Sequence, residues 1–81
     1  LNGAEMPALS RYKLLCRRGM KELDVVLVRY LDRHYSDADS AELAQFDELL
    51  AMQDPELFGV LFELMPEPPH LQQVIAKIRI P

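Results

Sequence analysis

The chain has 81 residues, with 9 Lys and Arg against 13 Asp and Glu, giving a formal charge of −4. Hydrophobic residues make up 49% and charged residues 27%, which is globular rather than disordered composition. A chain of this length forms one domain whose core is too small to enclose a large active-site cavity, which argues against a self-contained, two-lobed cofactor enzyme. No apolar run approaches the roughly 18 residues of a membrane helix, and no basic-then-apolar leader is visible. Cys16 is the single cysteine. An internal disulfide framework is therefore impossible, a reducing compartment fits, and a cytoplasmic protein is expected.

Helical periodicity organises the chain. Residues 1–6, which begin at Leu1 rather than Met, are expected to be a disordered or cloning-derived terminus. A single helical domain is predicted over 7–78, with a frayed tail over 79–81. Leu9, Tyr12, Leu15 and Cys16 form a short apolar stripe, so a first helix is predicted from Pro7 to Arg18. Gly19 would close it in the left-handed conformation, with Arg17 and Arg18 at the negative end of its dipole.

Leu23, Val26, Leu27, Tyr30, Leu31 and His34 recur at i, i+3, i+4, i+7, i+8 and i+11, which predicts the longest and most central helix over Lys21–Tyr35. Val25 and Val28 are read as widening that stripe, with Glu22, Arg29 and Arg33 on the polar side. The stretch from Ser36 to Ser40 reads as a turn. Asp39 and Glu42 have capping-box spacing and open a third helix reaching Met52, with Leu43, Phe46, Leu49 and Leu50 inward.

Asp54 is expected to cap a fourth helix with Pro55 in its first turn. From Leu57 to Met65 this helix is apolar nearly all round, so burial is expected. Pro66, Pro68 and Pro69 break the chain. Leu71, Val74, Ile75 and Ile78 then mark a fifth helix. No segment alternates with period two. The fold class is all-α, a compact bundle of five short helices.

Charge is unevenly distributed. Residues 1–35 carry a net +3 and residues 36–81 a net −7. A short basic cluster on an acidic chain fits an acidic protein partner better than nucleic acid. No constellation for catalysis stands out. His34 and His70 lack metal-ligand spacing, Cys16 lies on an inward stripe, and the three glycines form no phosphate loop.

Residues 17–24, Arg17-Arg18-Gly19-Met20-Lys21-Glu22-Leu23-Asp24, place two arginines, a glycine and a methionine at a helix–helix corner. Read plainly, they are a dipole pair, a left-handed cap, a core methionine and helix-starting acids. As a docking corner, they combine a guanidinium fork, a backbone open to close approach and an adaptable apolar side chain.

The stretch Arg18-Gly19-Met20-Lys21-Glu22 resembles the Arg-Gly-x-x-Glu signature of the succinate dehydrogenase assembly factor family, small bacterial flavinators also labelled antitoxin-type. Gln53-Asp54-Pro55-Glu56-Leu57-Phe58 resembles that family's second signature. The resemblance spans about residues 9–79. It implies a five-helix, non-enzymatic factor that binds the flavoprotein subunit of succinate dehydrogenase or fumarate reductase. It also implies that the factor promotes covalent attachment of FAD to a histidine of that subunit. FAD would then be the partner's cofactor, with none bound stably here. Arg18, Gly19 and Glu22 match the family's functional positions. Arg17, Met20 and Asp24 are further partner-binding candidates, and Asp54 and Pro55 are structural. No nucleic acid, metal or membrane insertion is expected, and the free protein is expected to be a monomer. The alternative is an antitoxin-type binding module acting on a partner that is not a flavoprotein.

Overall fold

A computed structural model of the protein describes residues 5–80. Five α-helices follow one another: α1 Glu5–Leu15, α2 Lys21–His34, α3 Ser40–Leu50, α4 Asp54–Leu61 and α5 Gln72–Arg79. Turns of 3-10 helix over Tyr35–Asp37 and Pro69–Leu71 lead into α3 and α5. The described residues contain no strand. The Cα radius of gyration, 12.2 Å, is that of a compact domain of this length. The five-helix, all-α architecture expected from periodicity is the one observed.

The apolar stripes supply the core. Leu23, Leu27, Tyr30 and Leu31 of α2 meet Tyr12 and Cys16 from the first segment, Phe46, Leu49 and Leu50 of α3, and Leu57, Val60 and Leu61 of α4. Leu71, Val74, Ile75 and Ile78 complete it. The short helix α5 packs against α2, α3 and α4, so it is a hub rather than an appendage.

Several expectations need correction. The first helix begins at Glu5, two residues before Pro7, and stops at Leu15 rather than Arg18. Gly19 has the expected positive φ, +87°, but lies four residues past the helix end and turns the chain into α2 instead of capping α1. Asp39 caps α3, its Oδ1 accepting from the Glu42 amide at 2.8 Å. The Glu42 side chain does not return that bond. It is buried, accepting from the Tyr30 hydroxyl and the Lys77 ammonium.

The fourth helix is shorter than its apolar run. It ends at Leu61, and the amides of Leu64 and Met65 both turn back to the Gly59 carbonyl at 2.8 and 3.0 Å. Glu63 takes φ +63°, an uncommon conformation for a side-chain-bearing residue. Met65 folds over Gly59 so closely that a Cβ there would lie 2.6 Å from its Sδ. Leu64 and Met65 are therefore exposed, contrary to the expected all-round burial. At the other end of the chain, Arg79 is not frayed. It lies in α5, donates to the Val60 carbonyl at 2.8 Å and the Leu61 carbonyl at 3.2 Å, and pairs with Glu67 at 2.8 Å.

Burial favours the neutral forms of one thiol and two phenols in the core. It pushes the Cys16 thiol up to about 12. Burial, then the hydrogen bond to Asp47, pushes Tyr12 up to about 12 as well. Burial followed by the bond to Glu42 also raises Tyr30. All three ionise more readily unfolded than folded, so their contribution is complete below about pH 9 and is lost as pH rises towards 12. The urea midpoint is accordingly expected to be flat up to about pH 9 and to fall steadily above it. Tyr30→Phe removes a donor from the buried Glu42 carboxylate and is expected to cost about 1.5–3 kcal/mol in urea unfolding, with an unchanged denaturant slope.

Candidate functional site

The corner between α1 and α2 is built by one carboxylate. The amides of Arg18 and Gly19 do not donate back into α1. They donate to Asp24, at 2.8 Å to Oδ1 and 3.2 Å to Oδ2. Asp24 lies in the first turns of α2, so this helix clamps the loop that precedes it. The clamp is the physical reason α1 ends early. Gly19 is exposed, and a Cβ there would meet nothing within 4 Å. Space is not what excludes a side chain at this position; the positive φ is.

Arg18 faces inward. Its Nη2 donates to the Leu50 carbonyl at 2.7 Å and the Met52 carbonyl at 3.2 Å, and its Nε lies 3.4 Å from Asp54 Oδ1. The guanidinium therefore sits at the C-terminal end of α3 and the start of α4, not on the dipole of α1. Asp54 is likewise not the cap of α4. Gln53 occupies that position without a side-chain bond, Asp54 is the first helical residue, and its carboxylate serves Arg18. Pro55 lies in the first turn, as its missing N–H allows. The two sequence motifs, 36 residues apart, thus meet through one ion pair.

The other corner residues divide by exposure. Arg17 and Glu22 are exposed, and neither makes an ion pair among the described residues. Met20 is half-buried and packs against the core. Cys16 is fully buried beneath the corner. The nearby Arg18 charge lowers its pKa less than burial raises it, which suits a structural thiol rather than a nucleophile. His34 stacks on Tyr30 at 5.6 Å, and His70 pairs with Glu48 at 2.8 Å. Among the described residues no group of three His, Cys, Asp or Glu is placed to hold a metal ion.

Within the contiguous motif, Gly19 and Glu22 lie at the surface while Arg18 turns inward. The family described as "Flavinator of succinate dehydrogenase" matches residues 10–80. The chain belongs to this family. A relative from Methylococcus capsulatus, named FAD assembly factor SdhE, is 46% identical over 65 residues, covering 79% of this chain and 78% of the relative. A second, from Shewanella oneidensis and of the same name, is 35% identical over 77 residues and covers 93% of each chain. A third of that name, from Francisella tularensis, is 38% identical over 71 residues, covering 88% of this chain and 75% of the relative. No solved structure gives a significant match.

The engagement of both Asp24 and Asp54 at the corner is not visible in the sequence. Their spacing from Arg18 carries no sign of it, because both contacts depend on how α2 and the α3–α4 junction are packed. Val25 does not widen the inward stripe of α2 as expected. At 100° per residue Val25 lies about 200° round the helix from Leu23, which the helical angle could have revealed. Val25 is 55% exposed.

Replacing the clamp tests this account. Asp24→Ala is expected to leave the far-UV spectrum of the bundle intact while amide hydrogen exchange at Arg18 and Gly19 accelerates at least tenfold. Exchange at the core amides of α2 and α3 should stay near its wild-type rate.

Proposed function

We propose that this protein is a flavin assembly factor. It binds the flavoprotein subunit of succinate dehydrogenase or of fumarate reductase and promotes covalent attachment of that subunit's FAD. The reading is supported by the family membership together with one structural observation. The Gly19–Glu22 corner stands at the surface, held in shape by Asp24 beneath it and by Arg18 behind it.

Attachment of the flavin takes place within the partner, whose cofactor supplies the chemistry. An 81-residue helper contributes binding energy. By gripping the flavoprotein with its histidine and flavin aligned, it raises the population of the productive arrangement. It need hold no FAD of its own and perform no step itself. Gly19 lets the partner backbone come close, Glu22 offers a carboxylate to a partner cation, and Arg17 offers a guanidinium. Arg18 acts as a positioning residue, joining the corner to the α3–α4 junction.

Glu22 gives the cleanest test because the fold does not use it. In Glu22→Gln the unfolding free energy is expected to stay within about 0.5 kcal/mol of wild type. Affinity for the purified flavoprotein subunit is expected to fall at least tenfold, as is characteristic of a charge lost from a desolvated interfacial pair. Covalent flavin fluorescence on a denaturing gel should fall with it. If covalent flavin is the same with and without this protein, or if it captures a different protein and no flavoprotein, the reading is wrong.

A further inference from the structure

We propose that the docking surface continues beyond the corner along the outer face of α2, and that this face takes an acidic segment of the partner with an apolar side chain seated between Val25 and Val28. The inference rests on the function proposed above and extends it to the chemistry of the segment recognised.

Helix α2 carries two stripes. Leu23, Leu27, Tyr30 and Leu31 face the core. Val25, Val28, Arg29, Asp32 and Arg33 follow the same i, i+3, i+4, i+7, i+8 spacing; Val25, Asp32 and Arg33 are exposed, Arg29 is half-buried, and Val28 is half-buried with one side packed against the core. Together with Arg17 and Gly19 from the loop, this second stripe lines an open groove of about 680 Å³. The groove starts at the corner, and its α2 lining, Asp24 to Arg33, runs about 14 Å towards the C-terminal end of the helix at 1.5 Å per residue. Continuity with Gly19 makes it an extension of the corner rather than a separate site.

Charge selects the occupant. Three guanidiniums line the groove, on Arg17, Arg29 and Arg33. Arg17 and Arg33 are exposed and make no ion pair among the described residues. Arg29 is anchored by donating to the Ile78 carbonyl at 2.8 Å, which fixes its position at the rim. Against these three cations the lining holds two carboxylates, Asp24 and Asp32, for a net charge of +1; both Asp24 oxygens are taken by the loop amides, which leaves Asp32 as the one acid of the lining free to pair with a guanidinium. A basic groove on a chain of net charge −4 is complementary to an acidic partner surface. The floor is valine, with no aromatic ring on which a base could stack, so a polypeptide fits it better than a nucleic acid strand.

The test measures binding of the full chain to the purified flavoprotein subunit at two salt concentrations. Val25 is more than half exposed, so Val25→Asp is expected to keep its helical spectrum and melting temperature while affinity falls at least tenfold. The double variant Arg17→Glu, Arg33→Glu is expected to bind at least tenfold more slowly at low salt, with the salt dependence of the on-rate reversed because the lining then repels an acidic segment. Leu14→Asp, an exposed position on α1 outside the groove, serves as the control and should bind as wild type. If the groove variants bind like wild type while Glu22→Gln does not, the groove inference falls and the assembly-factor reading stands. If the unmodified protein fails to bind the flavoprotein, both fall. Steeply salt-dependent binding of duplex DNA that the charge-reversed variant loses would reassign the groove to phosphate.

Discussion

The structure depends on how its helices end. The last carbonyls of an α-helix lack intrahelical donors and need them from elsewhere. Here three arginines reach across the fold to supply them. Arg18 serves the end of α3 through Leu50 and continues to Met52, Arg29 serves Ile78 near the end of α5, and Arg79 serves Val60 and Leu61 at the end of α4. Each bond joins residues at least 18 positions apart, so it closes a helix and ties two elements together at once. A planar guanidinium with five donors suits this use better than an ammonium does. In an acidic chain with few cations, spending three this way leaves the remaining arginines conspicuous.

That division shapes the surface at the α1–α2 corner. The adjacent Arg17 and Arg18 point to different tasks. Arg18 is turned inward onto the α3–α4 junction, and Arg17 is left outside. Asp24 takes the two loop amides that would otherwise need water or a helical partner, and so holds Gly19 at φ +87° in the open. The corner is consequently an ordered surface rather than a free loop. Preorganisation of that kind lowers the conformational cost of binding. The proposed function, which works by association, draws on that property.

Below the corner the core is closed by a polar device that the apolar pattern does not show. Glu42 is buried, with Tyr30 and Lys77 satisfying its two oxygens. The contact joins α2, α3 and α5, which gives the short α5 a fixed position in the bundle. An unpaired carboxylate there would be costly, and the cost falls on any packing that separates the three helices.

Periodicity alone determined the all-α class, the five helices, most of the core and the outward placement of Glu22, because each follows from spacing within a single helix. The Arg-Gly-x-x-Glu resemblance likewise pointed to the family from contiguous residues. Tertiary structure decided what the charged residues do. Nothing local distinguishes Arg18 from Arg17, or marks Asp54 as the partner of a guanidinium rather than a cap, Glu42 as buried, or Arg79 as anchored. Those roles arise when helix ends distant in sequence are brought within hydrogen-bond reach and their carbonyls must be satisfied. The apolar run from Leu57 to Met65 was cut at Leu61 for a related reason: the amides of Leu64 and Met65 turned back to Gly59, whose missing side chain left room for methionine to fold over it.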